Sequence, residues 1–373
     1  MSKYLFLDDM LINVILKDQK PSGGAAVQTY AWIRGLMSQG HDVSTLTKLE
    51  PNLVFKKECV DLKLLPLYDN IKGIRWLRWI YYRIPFLYKS IKQSRPDYFI
   101  QGVPDWSTFI LAMICKLLRI KFIVRVSNDN YVDNRISQFY GRWHINMLNM
   151  GLKMSYSIIC QNDYQYKTLK KRYADKKIAK FGNPFHNNSN PIINEYKDRD
   201  SIAWVGLFQY QKNLGLLYEI AKLLKKETFK VFGSENFNGI DHDTKLNLQK
   251  LQSLKNVQFL GFLGRDDLLK HLQETKFLLN TSHYEGFSNT FLEAMYCGTP
   301  IITTENANPD SIINELHLGL VYTDPKNIES FVNDITNNEY KIASNNCINY
   351  IQDFHSPNEL AKRLENFLKT QEF

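Results

Sequence analysis

Short apolar runs alternate with stretches of helical spacing along the chain. Lys3–Asp8 is a brief apolar run that reads as a strand, too short for a signal peptide. Val27–Gln39 carries apolar residues at helical spacing, and Gly40 supplies the stop. Strands are expected at Asp42–Leu46, Pro96–Ile100, Lys121–Val126 and Ser157–Gln161, with helices at 106–118 and a basic one at 164–173. Phe181–Pro184 reads as a last short strand and turn, and the Asn- and Pro-rich residues 186–199 as a linker. A second series places strands near Ile202–Leu207, Phe229–Gly233, Val257–Gly261, Phe277–Thr281, Pro300–Thr303 and Gly319–Tyr322. Ser356-Pro357-Asn358 then opens an amphipathic run to Leu368, with serine and proline in helix-starting positions. Strands separated by helices make parallel sheets. The pattern predicts an α/β chain with a domain over 1–185, a linker over 186–199, a second domain over 200–355 and a closing helix over 356–373.

Composition fits this reading. The 373 residues are too many for one ordinary core and suit two. With 44% apolar and 23% charged residues the chain is far from disordered composition. Cys59, Cys115, Cys160, Cys297 and Cys347 are scattered and odd in number, which argues for a reducing, cytoplasmic setting and against a zinc site. The longest apolar stretch, Thr108 to Val126, is interrupted by Lys116, Arg119 and Lys121, which a membrane span would not carry. Charge is uneven. Residues 1–190 hold 29 Lys and Arg against 14 Asp and Glu, and the rest hold 18 against 24, so a basic half of +15 joins an acidic half of −6. The basic half suits an anionic partner. No nucleic-acid motif accompanies the charge, and no nucleic-acid partner is expected.

The richest segment is EGFSNTFLEAMYCGTP, residues 285–300. The run Lys276–Ser282 before it and Ile301–Thr304 after it read as strands, so the layout is strand, tight loop, helix, strand. Ligands bind open parallel sheets at that strand end. Backbone N–H groups around Phe287, Ser288, Asn289 and Thr290 would form the helix start, where unpaired donors and the positive dipole end attract anions. Glu285 in the loop and Glu293 on the second turn would flank that anion. Carboxylates accept hydrogen bonds from hydroxyls and repel phosphate. A phosphate with hydroxyls on either side describes a nucleotide-sugar.

At Glu285-Gly286-Phe287-Ser288-Asn289-Thr290-Phe291-Leu292-Glu293, with Ala294, Met295, Gly298 and Pro300 following, the chain resembles the retaining glycosyltransferases of family four, whose hallmark is E-x7-E. The resemblance implies the GT-B fold: two Rossmann-like domains facing a central cleft, with the last helix crossing back to the first. It also implies roles. Glu285 orients the donor sugar; Glu293 holds the ribose hydroxyls; Phe262 and Leu263 meet the base through backbone. Gly206-Leu207 to Lys212 matches the segment whose arginine and lysine neutralise the donor diphosphate; Lys212 is present, but Leu207 stands where arginine is expected. Gly23 and Gly24, ahead of the first long helix, would reach over the donor. The strand end that carries a histidine in many members has Ser127-Asn128-Asp129 instead, and Asn128 and Asp129 are taken as acceptor-side residues. Glu285 and Lys212 are the expected catalytic pair. No metal is implied, since no Asp-x-Asp or histidine cluster occurs, and no cofactor beyond the nucleoside-diphosphate sugar substrate.

Residues 72–95 combine seven cations, Arg75, Arg78 and Arg83 among them, with Trp76, Trp79, Tyr81, Tyr82, Phe86 and Tyr88 and no acidic residue. Interfacial helices combine these types. The stretch is expected to meet an anionic membrane surface, which makes a lipid-linked saccharide the expected acceptor and the protein peripheral on the inner membrane face. A plain surface helix packing its aromatics on the sheet is the alternative. Two further readings stand beside transfer: a nucleotide-sugar epimerase or phosphorylase on the same fold, and a partner subunit that has lost its chemistry.

Overall fold

The computed structural model describes residues 1–17, 24–48, 53–75, 77–138, 140–187, 193–235 and 239–370. The chain forms two compact units, Met1–His186 with His355–Phe373, and Asn187–Phe354.

The first unit holds seven strands: β1 Lys3–Leu7, β2 Asp42–Thr47, β3 Lys63–Pro66, β4 Tyr98–Gln101, β5 Lys121–Arg125, β6 Ser157–Cys160 and β7 Lys177–Lys180. They are parallel and ordered β3-β2-β1-β4-β5-β6-β7. β1, β4 and β6 are buried along nearly their whole length, as apolar strands covered on both faces must be. The edge strands β3 and β7 are half-exposed and mix lysine with apolar residues, which hid them from the hydrophobic pattern. The last strand therefore lies just before Phe181, and Phe181–Pro184 is irregular; Phe181 N–H makes one closing bond to Cys160 O at 2.9 Å.

The helix Pro357–Lys369 belongs to the first unit. Leu360, Ala361, Leu364 and Leu368 enter the core that contains Trp32 and Phe181. Gly35 makes room for it: a Cβ there would stand 2.3 Å from Pro357 O. Asn183 O and His355 Nδ1 are 2.6 Å apart, and Phe185 N–H donates to His355 O at 2.8 Å, so the departing and returning chain are tied together within this unit.

Residues 72–95 are helical in their second half. A π-helical turn, Trp79–Arg83, leads into the helix Ile84–Ser94. Arg83, expected among the lipid-facing cations, is buried at 7% exposure; its guanidinium lies over the Tyr68 and Trp79 rings and donates to Asn70 O at 2.9 Å. The wider turn points that side chain inward. Trp76 lies outside the described residues.

The second unit holds β8 Ser201–Val205, β9 Thr228–Phe232, β10 Val257–Gly261, β11 Thr275–Leu279, β12 Ile301–Thr304 and β13 Gly319–Tyr322, parallel and ordered β10-β9-β8-β11-β12-β13. Tyr196, in the expected linker, stacks on Tyr340 at 4.4 Å. Arg199 beside it is buried, donating to Thr275 O at 2.7 Å and Cys297 O at 3.1 Å. This end of the linker is thus packed into the second unit. Among the described residues, no helix is long and apolar enough to cross a membrane.

Candidate active site

The second sheet reverses its order between β8 and β11. From β8 the chain proceeds outward to β9, and from β11 to β12 on the other side, so the loops leaving these two strands diverge and open a crevice at the carboxyl edge. The loop after β8 carries Gly206 and Lys212; the loop after β11 carries Ser282 and Glu285. Hydrogen bonds lace the loops together. Thr281 Oγ1 donates to Lys212 O at 2.7 Å and receives Trp204 Nε1–H at 3.0 Å. His283 N–H reaches Gln211 O, and Gln211 Nε2 returns a bond to Tyr284 O, both at 2.9 Å.

This lacing brings Lys212 and Glu285, 73 positions apart, into an ion pair, Nζ to Oε1. Their side chains are 14% and 10% exposed. Ser282 Oγ donates to the same carboxylate oxygen at 2.8 Å. Gly206 shapes the lysine: a Cβ there would lie 3.2 Å from Cδ and Cε, crowding the stem. Leu207 is 40% exposed and adds no charge. A half-enclosed ammonium and carboxylate at a strand-end crevice can be separated by a ligand that offers each a better partner: phosphate for the lysine, hydroxyl for the glutamate.

The helix Asn289–Tyr296 begins beside this pair in sequence. Ser288 occupies its cap position without a side-chain cap bond; its Oγ pairs instead with Thr290 Oγ1 at 2.8 Å. Phe287 is buried and anchors the loop, with Gly286 between it and Glu285. Phe291, Leu292, Ala294 and Met295 fix the helix in the core. At its far end Arg199 donates to Cys297 O, placing a cation where the helix dipole is negative.

Glu293 is buried and faces Arg265, Nε to Oε1 3.5 Å. Burial pushes the carboxyl above its usual range and Arg265 opposes the shift. Arg265 was not singled out from sequence. It opens the helix Arg265–Glu274, directly after Gly261–Gly264. A cation at the positive end of a helix is misplaced by dipole alone, and that misplacement is the signal that it serves a partner elsewhere. Phe262 is exposed and Leu263 half-buried on the same turn.

In the first unit, Gly24 opens the helix Gly24–Ser38, while Gly23 lies outside the described residues. Asn128 accepts Asn130 N–H at 3.2 Å and so shapes its own turn. Asp129 is buried, with Oδ1 receiving Asn162 Nδ2 at 3.0 Å and Gln165 Nε2 at 2.8 Å; burial raises its pKa against these bonds. Both carry local structure. Beside them is a network the sequence did not disclose. Arg125, buried at the end of β5, donates to Gln28, to Ala25 O at 3.0 Å and to Thr29 Oγ1 at 3.2 Å, and Thr29 donates to Asp8 at 2.7 Å. Burial pulls the guanidinium down to about 10, with Asp8 opposing. The ends of β1 and β5 and the start of the first long helix are thereby held as one piece.

Residues 186–353 match the family model described as glycosyl transferases group 1. Over 93% of this chain and 94% of its own length, an uncharacterized glycosyltransferase of Methanocaldococcus jannaschii, MJ1607, is 23% identical. A sucrose-phosphate synthase from Thermosynechococcus elongatus superposes with a TM-score of 0.74 over 99% of this chain and 98% of its own, at 13% identity. Anabaena HepE, solved in complex with UDP-glucose, superposes with a TM-score of 0.72 over the whole of both chains, also at 13% identity. The fold is GT-B, and the second unit is similar in sequence to glycosyl transferases group 1.

Proposed function

We propose that this protein is a retaining glycosyltransferase that moves a sugar from a nucleoside-diphosphate sugar to a saccharide acceptor, lipid-linked, in the assembly of surface polysaccharide or glycoconjugate. The observation that carries the proposal is the Lys212–Glu285 pair at the reversal of the second sheet, beside the start of the helix Asn289–Tyr296. The donor diphosphate draws Lys212 off Glu285 and lies on the helix start. Glu285, released, accepts hydrogen bonds from the donor sugar's hydroxyls. As the bond from the anomeric carbon to the phosphate oxygen breaks, charge grows on the diphosphate, where Lys212 and the loop amides stabilise it. The acceptor oxygen adds to the same face of the sugar, and the departing phosphate takes the acceptor's proton. Glu293, held by Arg265, binds the ribose hydroxyls, and Phe262 and Leu263 border the base. The UDP-glucose complex of the structural neighbour supports a nucleotide-sugar donor.

The lipid end of the acceptor belongs to the surface turn around 71–81. Ile71, Ile74, Ile80 and Tyr81 are 82%, 58%, 70% and 50% exposed there, beside Lys72, Arg75 and Arg78. Apolar side chains beside cations suit an anionic membrane, and the protein acts as a peripheral enzyme on the inner membrane face.

Incubation with a panel of nucleoside-diphosphate sugars and saccharide acceptors, followed by NMR of the product, tests the reaction. Expected is a glycoside with the donor's anomeric configuration, formed equally in excess EDTA. An inverted product, or conversion of the donor to an epimer without acceptor, contradicts the proposal.

A further inference from the structure

The first sheet reverses too, between β1 and β4. Its carboxyl edge is the ligand edge of an open α/β sheet. Asp9 follows β1 there, Asp105 and Trp106 follow β4, and Tyr68 follows β3. None of these residues has a part in the site of the second unit.

Three indoles run along this edge in contact. Trp79 meets Trp106 edge-on at 4.6 Å, and Trp106 meets Trp143 at 5.6 Å, tilted by 43°. Tyr68 packs on Trp79 at 5.6 Å, and the buried Arg83 lies over both. The π-helical turn Trp79–Arg83 permits this, because it turns Arg83 inward behind Trp79; such turns occur disproportionately at functional sites. One end of the indole row is thus clamped. The other is more open: Trp143, met edge-on by the His144 ring at 5.1 Å, is still 57% exposed, and Trp106 is half-buried. A row of rings clamped at one end and braced by His144 at the other, with a Trp143 face exposed, is a rigid platform.

Two carboxylates stand beside the platform, and the buried Arg83 at its clamped end is the cation that faces Asp9. Asp105, adjacent to Trp106, fixes its Oδ1 with Ser107 N–H at 2.9 Å and Ser107 Oγ at 2.6 Å. Asp9 is exposed and electrostatically close to Asp105. A sugar presents a flat C–H face for an indole and hydroxyls for carboxylates.

We propose that Trp106 and Trp143, with Asp9 and Asp105, form a saccharide subsite: the acceptor's sugar stacks on Trp143 and donates hydroxyl protons to the carboxylates. The inference rests on the proposed transfer and deepens it by naming how the acceptor is recognised.

The probes are methyl glycosides of glucose, galactose, mannose and N-acetylglucosamine, followed by saturation-transfer NMR and tryptophan fluorescence. Nucleoside-diphosphate affinity is measured in parallel, so that failure of the donor reading is seen separately. At least one glycoside binds the wild-type protein. Trp143→Ala weakens it roughly tenfold, the most that one aromatic contact supplies. Trp143→Phe recovers binding, Trp143→Leu does not, Asp9→Asn weakens it, and nucleotide affinity is unchanged in all four. Trp143 is exposed enough for each variant to fold. Absence of glycoside binding, or a leucine variant as good as phenylalanine, overturns the proposal. So does a Trp143→Ala that leaves glycosides untouched but releases the protein from vesicles of equal parts phosphatidylglycerol and phosphatidylcholine, since the platform is then a lipid contact.

Discussion

Glu285 and Glu293 are chemically alike and eight positions apart, yet their surroundings assign them different work. Glu285 meets an ammonium and a hydroxyl in a half-open crevice. Glu293 is buried against a guanidinium, with its pKa raised by that burial. Glu285→Gln removes the charge proposed to face the sugar and keeps the shape, so turnover falls at least ~100-fold, in the range of one lost electrostatic group, while nucleoside-diphosphate affinity is kept or rises, since Lys212 no longer has to leave a carboxylate. Steady-state turnover beside calorimetry checks this; lost nucleotide binding with preserved turnover contradicts it. Glu293→Ala acts on binding instead. Nucleotide affinity weakens by about 1.5–3 kcal/mol, the worth of a hydrogen bond to a charged group. It also leaves Arg265 without its carboxylate, so thermal stability drops as well. An unchanged dissociation constant would remove Glu293 from the nucleotide site.

Central strands and the glutamate helix were legible in the sequence because burial on both faces leaves nearly uninterrupted apolar runs, as in β4 and β6. The edge strands of the first sheet were not, because β3 and β7 place lysine among their few residues. The helix Arg142–Met154 escaped as well: only Leu148, Gly151 and Leu152 of it are buried, too few to mark a period. Motif reading found Glu285 and Lys212 and could not see that they touch, since their contact depends on which strands are neighbours. Arg125 and Arg265 lay hidden for the same reason. Helix packing yields a prediction of its own. Gly35 lies under the start of the helix Pro357–Lys369, where a Cβ would meet backbone 2.3 Å away. Gly35→Ala pushes that helix off and costs roughly 1–3 kcal/mol, as overpacking does. Urea unfolding measures it; a neutral or stabilising result would mean that the returning helix is not held there.

At the scale of the molecule, the two proposed ligand edges belong to two separate units, and the chain leaves the second unit for the first at His355. That imidazole is buried, and burial pulls its pKa from 6.5 down to about 4, against the bond to Asn183 O. The unfolded chain binds a proton near pH 6.5 that the folded protein refuses until about pH 4. Stability from this group is therefore full above the upper value and is lost as pH falls toward the lower one, by on the order of 3 kcal/mol. Denaturant midpoints at pH 7 and pH 4.5 should differ less in His355→Gln than in the wild-type protein; an equal difference contradicts the account.

The central claim is that the Lys212–Glu285 crevice is built for a sugar-linked diphosphate. Calorimetric titration of UDP, GDP, ADP, CDP and dTDP, each beside its nucleoside, into the wild-type protein and Lys212→Ala tests it most directly. Lys212 is the charged side chain assigned to the diphosphate, and Leu207 adds none, so its loss should weaken the preferred diphosphate by about 1.5–3 kcal/mol, ten- to more than a hundredfold, and leave the matching nucleoside unchanged. If no diphosphate binds the wild-type protein, or if diphosphate and nucleoside weaken equally in the variant, the crevice does not do what its geometry is taken to mean.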